Sequence, residues 1–171
     1  YTETVRKSAD SLMMLVNDIL DISKIEAKKL QLEEVDFNLH DIIDDIASSL
    51  AIVAGNKGLE FICGILPQVP CRLKGDPGRL KQILMNLANN AIKYTEKGNI
   101  AIHTKALKQE ILLEICDSGI GIPPAHQSRI FERFYVVDKS RSRTTGGTGL
   151  GLSIVKHVVQ QHGGRIELKS A

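Results

Sequence analysis

The chain has 171 residues, 43% hydrophobic and 25% charged, which is enough to bury a globular core. Lys plus Arg number 22 against 20 Asp plus Glu, a balance that argues against nucleic acid or an anionic membrane as the main partner. The three cysteines lack metal-ligand or disulfide spacing, so we expect reduced core residues and a cytoplasmic location. No apolar run approaches the roughly 20 residues that cross a bilayer, and any membrane attachment is expected elsewhere in a longer parent protein.

The first predicted element is a long amphipathic helix from Thr2 to about Ala27. Its apolar residues recur at helical spacing, and the stripe contains Leu12, Leu15, Val16, Ile19 and Leu20. A stripe this wide needs a partner, and the first forty residues supply no second helix of this kind. We expect this helix either to pack on the following domain or to pair with another chain.

Strands and helices alternate through the middle of the chain. In chain order we expect a strand within Lys28–Asn38, a helix over Leu39–Ala54, strands over Leu59–Ile65 and Cys71–Lys74, and a helix from Pro77 to about Thr95 that Asp76 caps. Two further strands, Asn99–Ala106 and Glu110–Cys116, are predicted to form an antiparallel hairpin.

The last third of the chain begins with a long segment, residues 117–151, that is rich in Gly, Pro, Ser, Thr and Arg. A loop of this length is usually functional or mobile, and we expect only one short helix in it, around Pro124–Phe131. A helix over Leu150–Gln161 and a final strand over Arg165–Lys169 follow. This order predicts an α+β fold, a two-layer α/β sandwich with a mixed, mostly antiparallel sheet, and the leading helix apart from it.

The helix from Pro77 carries the first candidate residues for chemistry. Asn86, Asn90 and Lys93 are spaced at i, i+4 and i+7, away from the apolar face. Asparagine disfavours helix interiors, so its repeated use here has a cost. Amide oxygens suit Mg²⁺ when phosphates supply the anionic ligands. The pattern predicts a magnesium and phosphate site, and a solvated helix face is the alternative.

The segment Asp117-Ser-Gly-Ile-Gly-Ile-Pro123 directly follows an apolar strand. Its glycines let the backbone approach a ligand closely. A carboxylate at the strand end accepts a hydrogen bond from the exocyclic amine of adenine, whereas guanine offers a carbonyl there. Asp117 is therefore expected to face adenine, and the alternative is a tight turn that Asp117 caps.

The run Gly146-Gly-Thr-Gly-Leu-Gly-Leu152 leads into the last predicted helix, so backbone N–H groups and the positive helix end can surround a phosphate. It matches neither the P-loop nor the dinucleotide-binding fingerprint. Upstream, Lys139, Arg141 and Arg143 are spaced by two residues. They either help to neutralise a triphosphate or form an ordinary surface charge run.

Four motifs, in this order, resemble the asparagine, glycine and phenylalanine boxes of two-component sensor histidine kinases. They are Asn86–Thr95 (NLANNAIKYT), Asp117–Pro123, Ile130–Tyr135 (IFERFY) and Gly146–Leu152 (GGTGLGL). Residues 15–32 also resemble the second helix of that family's dimerisation and phosphotransfer region. The resemblance implies part of that region over residues 1–29, and a GHKL catalytic domain of the Bergerat type over residues 30–171, without its final strand.

The resemblance also implies a role for each matching residue. Asn90 would hold Mg²⁺, and Asn86 and Lys93 would face the phosphates of ATP. Tyr94 would flank the nucleotide, and residues 135–146 would form a lid over it. The other residues expected to line the ATP site are Asp117, Gly119, Gly121, Ile122, Tyr135, Lys139, Arg143, Gly147, Thr148, Gly149, Leu150 and Gly151.

Asn86 bears on the type of reaction. The wider superfamily contains DNA gyrase, chaperone and mismatch-repair ATPases, in which a glutamate one helical turn before the metal-binding Asn activates water. Asn86 takes that place here, so we expect phosphotransfer to a protein rather than rapid hydrolysis. The family's phosphoacceptor helix is absent, and we assign none of the five histidines to that role. Val136 stands where many relatives carry an arginine.

The sequence thus predicts the ATP-binding catalytic core of a histidine kinase. It would donate the γ-phosphoryl group of ATP to a histidine on a helix absent from this chain, for relay to a response-regulator aspartate. The expected partners are Mg-ATP, that helix, a second copy of the full-length protein and a receiver domain. Two alternatives stay open: an ATPase of the same superfamily, and a nucleotide-binding module without activity.

Overall fold

The computed structural model describes residues 2–108, 110–138 and 147–170. They form two compact units: the helical unit comprises Tyr1–Gln31 and Pro124–Ile166, and the sheet unit comprises Leu32–Pro123 and Glu167–Ala171. Within the described residues, no helix is both long and apolar enough to span a membrane. The expected domain division after residue 29 stays a prediction, because compactness alone does not identify a domain.

Most of the predicted helices and strands are present. In chain order the elements are α1 (Thr2–Glu26), β1 (Val35–Asn38), α2 (Leu39–Asn56), β2 (Glu60–Ile65), β3 (Arg72–Gly75), α3 (Pro77–Tyr94), β4 (Asn99–Leu107), β5 (Glu110–Asp117), α4 (Pro124–Gln127) and α5 (Gly151–Gln161).

The sheet unit contains a three-stranded sheet in the order β2, β4, β5. Strand β2 pairs with β4 in parallel, and β4 pairs with β5 in antiparallel register. A second, two-stranded sheet joins β1 to β3 in antiparallel register. The mixed sheet is therefore confirmed, and β4 and β5 pair as the hairpin prediction required.

The core of the sheet unit lies between α2, α3 and the sheet. Apolar residues at helical spacing on α2 and α3 meet alternate residues of β4, which buries both sets because helix and strand periodicities each present one face. A fully buried Leu or Ile contributes about 2 kcal/mol. The completely or almost completely buried side chains include Leu39, Ile43, Ile46, Leu50, Leu84, Ile100 and Ile102. Helices on a mixed sheet form the predicted two-layer α/β sandwich.

Both helices of this layer begin at capping residues. Asn38 Oδ1 accepts a hydrogen bond of 3.0 Å from the amide of His40 at the start of α2. Asp76 Oδ1 accepts one of 2.9 Å from the amide of Arg79, and Pro77 occupies the first turn of α3. The start predicted for α3 is therefore confirmed, and the helix that carries the asparagines has a defined beginning.

In the helical unit, α1 packs against α5. Among the side chains of α1 that the structure describes, the buried apolar ones are Ile22 and Ile25, and the Glu26 carboxylate at its end pairs with the Arg133 guanidinium. The predicted apolar stripe is mostly on the other face, since the exposed residues include Leu12, Val16, Ile19 and Leu20.

The first strand is Val35–Asn38, within the expected range, and it is short because β3 pairs with those four residues alone. Two other expectations about local structure are wrong. The helix from Pro124 ends at Gln127 and is followed by turns rather than continuing to Phe131. Residues 165–169 do not form a strand within the described part of the chain despite their alternation, because alternation indicates a face and does not specify a neighbouring strand.

The placement of the cysteines corrects a third expectation. All three are free thiols, but Cys71 and Cys116 are exposed and Cys63 is only half-buried. Cys116 alternates with Ile115, which packs against the core, so the thiol points to the opposite face of the sheet. Burial is the main cause that raises the pKa of the Cys63 thiol, and the charge of Asp44 raises it further.

Candidate functional site

Helix α3 presents the first set of expected site residues. Asn86, Asn90 and Lys93 are half-buried, whereas Leu84 and Ala88 of the same helix lie in the core. Asn86 Nδ2 is buried and has no hydrogen-bond partner within the part of the chain that the structure describes. A buried donor without an acceptor costs about 1–3 kcal/mol. An acceptor supplied by a ligand, such as a phosphate oxygen, would remove that cost.

The end of α3 carries a cation beside an aromatic ring. Lys93 Nζ lies 5.1 Å from the centroid of the Tyr94 ring, within the range of a cation–π contact. Both side chains are half-buried. The contact holds a positive charge near the asparagine face of the helix, and this suits an anionic ligand.

The Asp117 turn packs directly against the end of α3. Asp117 Oδ1 accepts a hydrogen bond of 2.9 Å from the amide of Gly119, and the amide of Ile120 donates one of 3.3 Å to the carbonyl of Tyr94. A Cβ on Gly119 would lie 2.7 Å from both Asp117 Oδ1 and the Tyr94 carbonyl. Only glycine permits this approach, so the backbone of the turn orients an exposed carboxylate beside α3.

The rest of the turn is positioned by backbone conformation and by a distant residue. Gly121 has a φ of +67°, in the left-handed region that favours glycine. The amide of Ile122 donates a hydrogen bond of 2.7 Å to Ser170 Oγ. No motif in the sequence marked Ser170, because its partner is 48 residues away.

Two other neighbours of this set were missed in the sequence. Thr95 is completely buried, and its Oγ1 has no partner among the described residues, 3.0 Å from where a Cβ on Gly119 would lie. Lys57 reaches from the end of α2 to α3, where its Nζ donates to the carbonyl groups of Ile92 and Lys93 at 2.6 and 3.0 Å. Thr95 ends the motif Asn86–Thr95, but neither that motif nor a lone lysine signals such contacts in the sequence.

The glycine run belongs to the helical unit, in which it contacts the preceding phenylalanine motif. The amide of Phe134 donates a hydrogen bond of 2.9 Å to the carbonyl of Gly149, which has a φ of +71°. A Cβ on Gly149 would lie 2.7 Å from the carbonyl carbon of Phe134. Leu150 N donates to Thr148 Oγ1 at 3.2 Å. The run therefore forms a tight backbone turn in which glycine is required.

Helix α5 starts at the end of this turn. Leu150 is its N-cap residue and makes no side-chain capping hydrogen bond, and Gly151 is the first helical residue. The N-terminal amides of a helix carry partial positive charge and lack intrahelical acceptors. A helix start without a capping side chain is chemically suited to an anion such as phosphate.

Tyr135 is held by a cluster of polar side chains. Its hydroxyl lies 2.6 Å from His126 Nδ1, and the Arg129 guanidinium lies 4.3 Å from its ring centroid. The hydrogen bond with Glu132 raises the pKa of Arg129 and fixes the guanidinium over the ring. No sequence motif predicted this cluster. Lys139, Arg143 and most of the expected lid over residues 135–146, namely residues 139–146, lie outside the described residues.

The expected site residues are divided between the two units. The sheet unit contains Asn86, Asn90, Lys93, Tyr94, Asp117, Gly119, Gly121 and Ile122, and the helical unit contains Tyr135, Gly147, Thr148, Gly149, Leu150 and Gly151. Each set has the local geometry described above, and the role of each residue stays a prediction.

The amino-acid sequence of this chain is similar to those of known proteins. The family model described as histidine kinase-, DNA gyrase B- and HSP90-like ATPase matches residues 75–171. The signal transduction histidine-protein kinase BarA of Escherichia coli is 46% identical over 99% of this chain. The sensor histidine kinase GacS of Pseudomonas protegens is 43% identical over 99%. This chain spans only 19% of the length of each of these relatives.

A solved structure agrees with the fold. The crystal structure of full-length ShkA in complex with AMPPNP matches with a TM-score of 0.80 and 32% sequence identity. The match covers 95% of this chain and 34% of the ShkA chain.

Proposed function

This chain belongs to the histidine kinase-, DNA gyrase B- and HSP90-like ATPase family, and on that basis we propose that it binds Mg-ATP and serves as the phosphoryl-donor site of a histidine kinase. The observation that carries the proposal is the buried side-chain Nδ2 of Asn86 on α3, which has no hydrogen-bond partner among the described residues and lies in the same unit as the turn that orients Asp117. ATP would supply the transferable γ-phosphoryl group and Mg²⁺ would offset its charge.

The residues of the sheet unit have distinct proposed roles. The Asn90 amide oxygen is a hard, uncharged ligand that suits Mg²⁺. Asn86 Nδ2 and Lys93 Nζ are donors for phosphate oxygens, and Asp117 accepts a hydrogen bond from the exocyclic amine of adenine. Tyr94 flanks the nucleotide, beside the Gly119 to Ile122 backbone.

The residues of the helical unit serve the phosphates. The amides of the Gly147 to Gly151 run and the positive end of α5 bind phosphate oxygens. Tyr135 lines the nucleotide, and Lys139 and Arg143 neutralise part of its charge. The tight glycine turn and the lack of a side-chain capping hydrogen bond at Leu150 support the phosphate role of the glycine run.

Asn86 distinguishes transfer from hydrolysis. A carboxylate at that position would activate water as a general base, whereas an amide cannot accept a proton. The proposed acceptor is therefore an imidazole nitrogen of a histidine outside these residues, which takes the phosphoryl group and loses its proton while ADP leaves. BarA and GacS are named as kinases of this kind. A receiver-domain aspartate would then take the phosphoryl group.

The exposed face of α1 supports a further proposed partner. Its exposed apolar residues, among them Leu12 and Ile19, suit a helix of a second copy of the full-length protein. We place the activity in the cytoplasm, where ATP is available.

Isothermal titration with Mg-ADP tests nucleotide binding. We expect the wild-type protein to release heat, and Asn90→Ala to lose the Mg²⁺-dependent part of the affinity. Asn89→Ala is the matched control, because Asn89 is an exposed neighbour on the same helix. Absence of binding by the wild-type protein, or equal losses in both variants, would contradict the proposed site.

Phosphate release separates a kinase from an ATPase. With labelled ATP alone, we expect slow release of inorganic phosphate, because the site lacks the water-activating carboxylate. Within the full-length parent, we expect an acid-labile, base-stable label on the protein, which is the signature of phosphohistidine. Turnover comparable to that of a dedicated ATPase would favour the hydrolase alternative.

A further inference from the structure

Lys57 is bound to the end of the helix that carries the proposed Mg-ATP residues. Its Nζ donates hydrogen bonds of 2.6 Å to the carbonyl of Ile92 and 3.0 Å to the carbonyl of Lys93. The last four carbonyl groups of a helix have no intrahelical partner, so they need donors from elsewhere. A lysine ammonium suits this position because the helix dipole places partial negative charge there.

The other two carbonyl groups of this last turn also have donors. The Ala91 carbonyl accepts from the amide of Thr95 at 3.1 Å, and the Tyr94 carbonyl accepts from the amide of Ile120 at 3.3 Å. The end of α3 is thus satisfied by its own cap, by Lys57 and by the Asp117 turn. Lys57 supplies the donors for the two middle carbonyl groups, directly before the Tyr94 carbonyl that contacts the turn that orients Asp117.

The backbone at the end of α2 places Lys57 for this contact. Lys57 is the C-cap residue, and its amide donates to the carbonyl of Ala54 at 3.0 Å. Gly58 adopts a φ of +74°, and the amide of Leu59 returns to the same carbonyl at 3.0 Å. This glycine-dependent helix end fixes the origin of the Lys57 side chain.

We propose that Lys57 is a positioning residue for the nucleotide site, acting through the last turn of α3 and not by touching the nucleotide. This inference rests on the proposed Mg-ATP function. Lys57 holds the backbone of Lys93 directly and that of Tyr94 through the same turn. The Lys93 ammonium and the Asp117 carboxylate are thereby kept at a defined spacing. The affinity for the nucleotide depends on this spacing, because misplaced groups lose most of their binding contribution.

A second lysine contact provides a matched control. Lys81 Nζ on α3 pairs with Asp45 Oδ2 on α2 at 2.9 Å, so it also connects these two helices. That contact lies in the first half of α3 and involves side chains only. Removal of Lys81 therefore removes one lysine and one α2–α3 contact, and leaves the carbonyl groups at the helix end satisfied.

The test compares Lys57→Met, Lys57→Arg and Lys81→Met, by titration with Mg-ADP and by amide hydrogen exchange without nucleotide. Lys57→Met is expected to raise the Kd about tenfold, the loss of roughly one charge-assisted hydrogen bond, and to speed exchange of the Thr95 and Ile120 amides. Lys57→Arg keeps a charged donor, so its Kd and its amide exchange rates are expected to lie within about twofold of the wild-type values. Lys81→Met is expected to change neither the Kd nor the exchange rates.

Each result has a distinct meaning. The role of Lys57 would be overturned if the wild-type protein binds Mg-ADP and Lys57→Met has the same Kd. It would also be overturned if Lys57→Met and Lys81→Met lose equal affinity for Mg-ADP. No binding by the wild-type protein would instead contradict the proposed function, while hydrogen exchange still reports whether Lys57 holds the helix end. If Lys57→Met does not fold, Lys57→Gln, which keeps a neutral donor, takes its place in the same comparison.

Discussion

The amide of Phe134 donates a hydrogen bond of 2.9 Å to the carbonyl of Gly149, so residues fifteen positions apart are joined backbone to backbone. Both residues have left-handed backbone conformations, with φ values of 61° and 71°. For a bulky residue such as Phe134 this conformation costs about 1–2 kcal/mol and persists only where its surroundings impose it. The contact therefore fixes the shape of the glycine run relative to the phenylalanine motif.

We predict that Gly149→Ala lowers the free energy of unfolding by about 3 kcal/mol, because the new Cβ would meet backbone atoms of Phe134 that cannot rotate away. Gly163→Ala is the control, since Gly163 has nearly the same φ, +70°, but, its chain neighbours apart, no atom of the described residues lies within 4 Å of an added Cβ. That variant should lose only about 1 kcal/mol, from the backbone conformation alone. Urea titration gives both values, and equal losses would show that crowding by Phe134 is unimportant.

We predict that Gly119→Ala weakens Mg-ADP binding at least about tenfold, because a Cβ would collide with Asp117 Oδ1 and the Tyr94 carbonyl and displace the turn. Gly55→Ala on α2 is a suitable comparison, since, its chain neighbours and its own helix backbone apart, no atom of the described residues lies within 4 Å of the added Cβ. It should leave affinity unchanged and raise stability by about 0.5–1 kcal/mol. Calorimetric titration measures the affinities, and unaltered binding by Gly119→Ala would argue against a role for this turn.

We predict that Thr104→Val stabilises the protein by about 1 kcal/mol, because the Thr104 hydroxyl on β4 is completely buried and has no partner among the described residues. Thr104→Ser keeps the hydroxyl and removes the methyl group, so it should destabilise. Thermal and urea unfolding measure both changes. A loss of stability in Thr104→Val would mean that the hydroxyl has a partner, such as an ordered water.

We predict a pH-dependent stability change in Asp18→Asn. Asp18 and Asp21 are both buried on α1, and burial first, then the charge of Asp21, raises the pKa of Asp18. A carboxyl whose pKa is raised on folding favours the native state when protonated, so its contribution is present at low pH and lost as pH rises through the folded pKa. Asp18→Asn should therefore raise the Tm by about 2–4 °C at neutral pH, and less in acid.

Scanning calorimetry from acid to neutral pH checks this prediction. Asp36→Asn, which removes one negative charge at an exposed position, controls for the change in net charge. If Asp18→Asn lowers the Tm at neutral pH, the Asp18 carboxylate stabilises the native state, and the stated effect of burial is outweighed.

Features that depend only on residues close together in the sequence were predicted correctly. Capping by Asp76, the apolar face of α3 and the alternation of β4 and β5 each depend on neighbours within about four residues, so they are visible in the sequence. The strand expected over 165–169 failed because alternation indicates a face, whereas a strand also requires a partner that alternation cannot specify. The apolar stripe of α1 likewise did not indicate which face is buried.

The sequence by itself determined most of the helices and strands, their order and the ordered motifs by which the chain resembles its family. Only the tertiary structure decided that Lys57 binds the end of α3 across 35 residues and that Ser170 binds Ile122 across 48. It also decided that Asn86 and Thr95 have buried polar atoms without a partner among the described residues. The physical reason is that hydrogen-bond satisfaction and burial depend on which segments pack together. Local spacing limits those contacts but does not specify them.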